Sequence, residues 1–196
     1  MSIAGVIIAG GRSSRMGGAE KVFVKIRGRS ILDRIIDHLA PQVTRLAINA
    51  NGDATRFANT GLGVIADLPD AAEIPLAGLQ AALHWTKAQG FNRLLTVPSD
   101  TPFLPRDLVG RLSGQQTAIA ASGGQAHYLT GLWPVSLCAA LDGWIASTQT
   151  FRAEDWANHA NAARIEWQTD PFDPFFNVNT PEDLARAEKI ASEFDP

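Results

Sequence analysis

Cysteine is almost absent from this chain. Cys138 is the only one in 196 residues, which rules out an internal disulfide and a cluster built from several cysteines. Its neighbours Leu137, Ala139, Ala140 and Leu141 are apolar, which predicts a buried thiol rather than a nucleophile. Basic charge is not in excess either: 17 lysines and arginines face 20 acidic residues, a net charge of -3 with a pI near 5.8. That argues against a nucleic-acid partner, so any bound anion has to be met by locally placed groups. Long hydrophobic runs are missing too. The apolar stretch from Ile3 to Ala9 is too short to span a bilayer, and no basic segment precedes it as in a secretory leader. The expectation is a cytoplasmic protein without a membrane partner. The four histidines are scattered, with no Ser-His-Asp or Cys-His arrangement in view. Internal repeats, low-complexity stretches and interdomain linkers are likewise lacking.

What is present is an alternation of short β-like runs and segments of helical period. Val6-Ile7-Ile8 is a continuous apolar run ending near glycine, as in a strand covered on both faces. Ser30, with Asp33 three residues on, predicts a capped helix burying Ile31, Leu32, Ile35, Ile36 and Leu39, stopped by Pro41. Leu46-Ala47-Ile48 and Val64-Ile65-Ala66 read as strands, then a helix carries Leu76, Leu79, Ala82 and Leu83 on one side. Leu94 to Val97 is a strand broken by Pro98, and Pro105 is placed to open a helix through Leu108 and Leu112. Residues 118 to 133 read as an antiparallel pair around Gly123-Gly124. Residues 143 to 162 show no clean period. Thr180-Pro181-Glu182-Asp183 is an N-cap, an N1 proline and an acidic first turn, opening a helix through Leu184, Ala187 and Ile190. The pattern predicts a Rossmann-like, doubly wound α/β domain over residues 1–196. Its sheet is mostly parallel with helices on both faces, and a small antiparallel portion lies in the C-terminal half. Sites in such sheets lie beyond the carboxyl ends of the strands, where Gly10, Gly11, Asn49, Asp67 and Asp100 fall.

The most informative segment runs from Ala9 to Lys21, with glycines at 10, 11, 17 and 18. Glycines let backbone N–H groups approach a phosphate chain closely, and Arg15 and Lys21 would add side-chain charge. It is not a Walker loop, since Met16 stands five residues after Gly11 and Val22 follows Lys21. The dinucleotide fingerprint fails on spacing as well. By composition alone, a surface loop that merely turns the chain explains the segment equally well.

The full pattern Ala9-Gly10-Gly11, Arg15-Met16-Gly17 and Lys21 resembles the signature of nucleotidyltransferases with a doubly wound sheet. Within them the chain resembles the molybdenum cofactor guanylyltransferases over almost its whole length. The matching stretches are Asn49-Ala50-Asn51, Val64 to Asp67, Pro75-Leu76-Ala77-Gly78, Pro98-Ser99-Asp100-Thr101-Pro102 and Phe176 to Leu184. Ala-Gly-Gly, where relatives using CTP or UTP carry Ala-Ala-Gly, implies GTP. By the resemblance, Ile8, Ala9, Gly10 and Gly11 would contact the guanine and ribose through backbone, and Asn49 and Asp67 would recognise the nucleoside. Arg15 and Lys21 would hold the phosphates. Asp100 would bind Mg2+, with Asn179 as a second ligand by looser analogy. The partners implied are GTP and molybdopterin, with molybdoenzymes or their chaperones downstream. Glu20 stands where the family has aspartate, Ile74 where glycine is common, and residues 145–156 lack the family's arginine-bearing stretch.

The reaction so implied is attack of an acceptor phosphate oxygen on the α-phosphorus of GTP. The nucleophile is already anionic, so no general base is needed, and the difficulty is repulsion between anions. Residues 1–112 would serve mainly the nucleotide and 113–196 mainly the acceptor, through His127 to Trp133 and 145–156, with Arg152 as the one cation there. Taken singly, each candidate has a plainer reading: Asp100 and Asp67 as Asx turns, Asn179 as a residue beside a cap, Lys21 as a solvated lysine. His127 has no assigned role, and the tryptophans read as core or groove wall. Two alternatives remain: a nucleotidyltransferase using another nucleotide or acceptor, cytidylyl or sugar-phosphate, and a nucleotide-binding accessory protein without catalysis.

Overall fold

In the computed structural model, which describes residues 2–10, 15–16, 19–69, 74–148 and 150–194, the elements follow one another in this order. Strand β1 is Ile3–Ile8, and two small ladders follow, β2 Arg15–Met16 with β3 Ala19–Glu20 and β4 Lys25–Ile26 with β5 Arg29–Ser30. Next come α1 Ile31–Leu39, β6 Arg45–Asn49, β7 Gly63–Ile65, α2 Ala77–Ala88 and β8 Arg93–Pro98. The second half holds α3 Leu108–Leu112, β9 Ala118–Ser122, β10 Gln125–Pro134, α4 Cys138–Ser147, α5 Ala153–His159, β11 Ala163–Trp167 and α6 Pro181–Phe194.

Every residue of β1 is buried, and the two-residue alternation of its side chains sorts the core into two layers. Ile3 and Ile7 pack with Ile31, Leu32, Ile35, Leu39, Leu108, Leu112, Ala187 and Ile190, so α1, α3 and α6 cover one face. Val6 and Ile8 pack with Leu79, Leu83, Cys138, Leu141 and Trp156, so α2, α4 and α5 cover the other. A strand between two helix layers has no wet face, which is why the run reads as continuously apolar.

Seven strands form one sheet in the order β11-β9-β10-β8-β1-β6-β7. All pairings are parallel except the two made by β10, which runs against both β8 and β9. The β9–β10 turn is Gly123-Gly124, both at positive φ, which a two-residue hairpin turn needs. The chain steps from β1 outward through β6 and β7, then returns across β1 to place β8 on its other side. That makes the carboxyl end of β1 the switch point, where sheets of this kind open a crevice.

Local signals were obeyed at both capped helices. The Ser30 hydroxyl accepts from Asp33 N–H at 3.0 Å, and Thr180 accepts from Asp183 N–H at 3.1 Å, each cap worth about 1 kcal/mol. Pro98 stops β8 as expected, as its last residue, in register with Ile8. Two expectations need correction. Pro105 does not open α3: its carbonyl accepts from Leu108 N–H at 3.3 Å, so a turn intervenes and the helix begins at Leu108. Residues 143 to 162 are largely helical. The second half of α4 and all of α5 lie there, and β11 follows as an edge strand parallel to β9. The outer side of α4 carries Ala139, Ala140 and Gly143, so the polarity contrast that reveals a helix is weak.

Candidate active site

The parallel strands deliver the polar residues to one edge of the sheet. Gly10 lies just past β1, Asn49 ends β6, Asp67 lies two residues past β7, and Asp100 two past β8. Gly11 and the side chain of Arg15 lie outside what is described, as does most of the glycine-rich segment. Its end is visible at Lys21.

Lys21 begins a single-turn helix, Lys21–Phe23, whose Val22 is buried against the α1 side of the core. This anchorage turns the lysine inward, and it is only 6% exposed. Its ammonium lies 3.0 Å from Asp100 Oδ2 and also donates to Asn179 Oδ1. Segments 79 and 158 residues apart in sequence therefore meet on one cation. The solvated-lysine reading does not survive this.

Asp100 is presented by a turn in which Thr101 Oγ1 donates to the Pro98 carbonyl at 3.2 Å. Its carboxylate points at Lys21 rather than into an Asx turn, and Oδ1 is buried without a hydrogen-bond partner among the described residues. Asn179 is held from behind. Val178 N–H donates to the Asp100 carbonyl at 2.9 Å, and Asp183 Oδ2 accepts from the N–H groups of Asn179 and Thr180, both at 2.9 Å. Those backbone bonds hold the Asp183 carboxyl below the usual aspartate range.

A second corner lies on the other side of β1. Ala9 N–H donates to the Asn49 carbonyl at 2.8 Å, extending the β1–β6 pairing past the strand end. The Asn49 side chain is wholly buried. Its amide donates to the Ile65 carbonyl at 3.1 Å and to Asp67 Oδ1 at 2.9 Å. Asp67 Oδ2 accepts from Asn51 Nδ2 at 2.7 Å, and Asp67 N–H donates to Asn51 Oδ1 at 2.9 Å. Asn51, to which the motif Asn49-Ala50-Asn51 assigns no role of its own, completes this network. Asn49 Oδ1 has no partner among the described residues and lies 2.4 Å from where a Cβ on Gly78 would sit. Glycine at 78 is thus what lets α2 start against the end of β6.

Two further groups come together that spacing did not reveal. Ser122, ending β9, donates to Asp173 Oδ1 at 2.8 Å, so its lone pair must accept from His127 Nε2–H at 2.7 Å. His127 stacks on Phe175, ring centroids 4.7 Å apart, and burial pushes its pKa down against the opposing fields of Asp173 and Glu166. Between His127 and Gly131 the β9–β10 register shifts, a bulge beside the end of β8. Bulges are common beside active sites, where they re-aim side chains. There Tyr128 donates to Glu154 Oε1 at 2.9 Å, and Glu154 Oε2 accepts from Arg152 at 2.6 Å. The other group is His84, Cys138 and Asp142, between α2 and α4. The thiol is buried as expected, and burial raises its pKa. Of the tryptophans, Trp133 and Trp156 are fully buried and Trp167 nearly so. No helix of the described chain is long and apolar enough to cross a membrane.

Residues 5–162 match the family described as MobA-like NTP transferase domain. A molybdenum cofactor guanylyltransferase from Rhodopseudomonas palustris is 47% identical over 95% of this chain and 92% of its own length. One from Nitrobacter hamburgensis is 44% identical over 96% and 94%. Among solved structures, molybdopterin-guanine dinucleotide biosynthesis protein A from Archaeoglobus fulgidus superposes with a TM-score of 0.71 at 21% identity, covering 97% of this chain and all of its own. A 4-diphosphocytidyl-2C-methyl-D-erythritol synthase from Anaerococcus prevotii gives the same TM-score at 11% identity, with 98% and 99% covered, which speaks for the fold alone. The sheet order, the converging site and near full-length identity lead to one assignment: the chain belongs to the MobA-like NTP transferases and, among them, to the molybdenum cofactor guanylyltransferases.

Proposed function

We propose that the protein transfers GMP from GTP to the phosphate of molybdopterin, releasing pyrophosphate, in a reaction that uses Mg2+. The observation that carries this reading is the buried Lys21 ammonium between Asp100 and Asn179 at the mouth of the β1 crevice. A cation fixed beside two convergent oxygens, at the end of a glycine-rich segment, suits a polyphosphate whose charge rises as a bond breaks.

In the reaction an acceptor phosphate oxygen forms a bond to the α-phosphorus. The bond from that phosphorus to the bridging oxygen breaks, and pyrophosphate leaves with the electron pair. The acceptor is already an anion, so no group has to remove a proton from it. Lys21, with Arg15 six residues before it in sequence, neutralises charge on the leaving group. The backbone of Ile8, Ala9 and Gly10 would face the guanosine end, and the resemblance assigns Gly11, outside the described residues, to the same role. The Asn49–Asp67–Asn51 network shapes that wall, with Asn49 acting from behind it because it is buried.

The donor set fits Mg2+, which takes oxygen ligands and keeps several waters. Asp100 Oδ1 is a buried carboxylate oxygen without a partner among the described residues, and the Asn179 amide oxygen stands across from it. These two would hold the ion, which supplies positive charge to phosphate oxygens. The acceptor would lie along the bulge of β10, between His127 and the Tyr128–Glu154–Arg152 chain, with residues 1–112 serving mainly the nucleotide. A cytoplasmic setting and hand-over to molybdoenzymes or their chaperones belong to the same proposal.

The test is to incubate the protein with Mg2+, molybdopterin and each of the four nucleoside triphosphates, and weigh the products. A GMP adduct with pyrophosphate is expected from GTP alone. Equal product from CTP overturns the guanine assignment, and no adduct from any nucleotide overturns the acceptor.

A further inference from the structure

Away from the crevice, α2 and α4 cross with four functional side chains between them. Gln80 and His84 are one helical turn apart on α2, and Cys138 and Asp142 one turn apart on α4, so each pair shares a face. His84 Nε2 lies 3.0 Å from both oxygens of Asp142. Gln80 Nε2 donates to Asp142 Oδ1 at 2.8 Å. The ligand atoms of His84, Cys138 and Asp142 all lie within 4.8 Å of one another. We propose that this imidazole, thiolate and carboxylate form a site for a borderline transition-metal ion of the zinc class, clamping α4 to α2.

The chemistry of the set favours such an ion over Mg2+, because nitrogen and sulfur donors select zinc-like metals and oxygen donors select magnesium. Bond lengths of about 2.0–2.3 Å place tetrahedral ligand atoms about 3.4–3.7 Å apart. The observed separations, 3.0 Å between His84 and Asp142 and no more than 4.8 Å within the set, bracket that spacing. Charge balances as well, since a thiolate and a carboxylate offset a divalent ion. Burial raises the Cys138 pKa in the free protein, and metal ligation deprotonates a thiol outright. Cys138 is also the first residue of α4, where the helix N-terminus favours negative charge. Lys87 acts in two directions there, repelling a cation while easing formation of the thiolate. Gln80 already orients the carboxylate in the way outer partners orient ligands. His84 and Asp142 are half-exposed, so water can fill the fourth position. A single cysteine excludes a site made of cysteines, but not a mixed one.

The consequence is structural. Gly78, four residues before Ala82 on α2, sits against Asn49, while the layer of α4 and α5 carries Glu154 beside Tyr128. A clamp between these helices fixes the two sides of the crevice relative to each other.

The test is titration of the reduced, full-length protein with Co2+ in excess Mg2+, followed by absorption spectroscopy. Because Cys138 is the only cysteine, any thiolate-to-cobalt charge-transfer band reports this site and not Asp100. The expected result is a band that saturates at one equivalent and is abolished by Zn2+. It should be lost in Cys138→Ser, and Co2+ affinity should fall roughly tenfold or more in His84→Ala and Asp142→Asn. The proposal is overturned if the wild-type protein gives no such band, or if the band is unchanged in His84→Ala and Asp142→Asn.

Discussion

Replacing Lys21 with methionine keeps the length of the side chain and removes the charge. Lys21 is 8% exposed at the side chain and Asp100 24%, so little water reaches the pair. The change leaves a half-buried carboxylate facing an apolar tip, with Oδ1 already lacking a described partner. Removing one partner of a fully buried pair costs about 3–5 kcal/mol, and the residual exposure of Asp100 lowers that to about 2–3 kcal/mol. For a chain of this size the melting temperature should fall by about 4–12 °C. Asp100→Asn alone strands the ammonium, although Asn179 still accepts from it, so its cost should be smaller, about 1–2 kcal/mol. The double variant Lys21→Met/Asp100→Asn strands neither charge. Its loss of stability should fall short of the sum of the single losses by about 1–2 kcal/mol. Urea unfolding of the four proteins gives the cycle, and guanylyl transfer should be abolished in all three variants. If the single effects add within about 0.5 kcal/mol, the two residues do not interact as described and the centre of the site is misassigned.

Gly78→Ala puts a Cβ 2.4 Å from Asn49 Oδ1 and 2.9 Å from Ile8 Cγ2. It should cost about 1–3 kcal/mol as overpacking and weaken GTP binding; an unchanged melting temperature would contradict the close approach. Burial sets the folded pKa of His127 below the ordinary 6.5, so the unfolded chain binds its proton more readily. Stability should therefore be complete above that ordinary value and fall as the pH drops through it. Unfolding midpoints measured between pH 8 and pH 5 on the wild-type protein and His127→Gln should show a shallower decline in the variant, and equal slopes would assign the decline elsewhere (a pH range chosen to bracket about 6.5). Arg152→Ala should raise the KM for the acceptor several-fold and leave that for GTP unchanged, because its partner Glu154 reaches Tyr128 at the bulge. A loss of GTP affinity instead would place the nucleotide on that side.

The parts of the fold that could be read from sequence are those whose signal is local. Buried strands such as Val6-Ile7-Ile8, the Ser30 and Thr180 caps and the Gly123-Gly124 turn each carry their physics in neighbouring residues. What escaped depends on partners distant in the chain. Strand β11 alternates correctly, with Arg164 and Glu166 out and Trp167 buried, but five residues at an edge are hard to tell from a loop. Helix α5 spans only seven residues, too few for a clear period. In the site, motif residues at strand ends were legible because a parallel sheet sends all its carboxyl ends to one edge. Ser122, Asp173 and Phe175 around His127 were not, since they meet only through the β9–β10 hairpin and the segment before α6.

Under the proposed division into a nucleotide half and an acceptor half, the central cluster draws on both. Lys21 and Asp100 come from residues 1–112, but the third member of the cluster, Asn179, comes from the far end of the chain. Its position is set by Val178 bonding to the Asp100 carbonyl and by Asp183 capping α6. The reversed strand β10 makes this return possible. It carries the chain from the carboxyl edge of the sheet to the opposite edge, so that parallel β11 can bring it back beside Asp100. A centre assembled from both ends of the chain completes itself only when the sheet has closed through β11, which ties the oxygens beside Lys21 to the folding of the whole domain rather than to the glycine-rich segment alone.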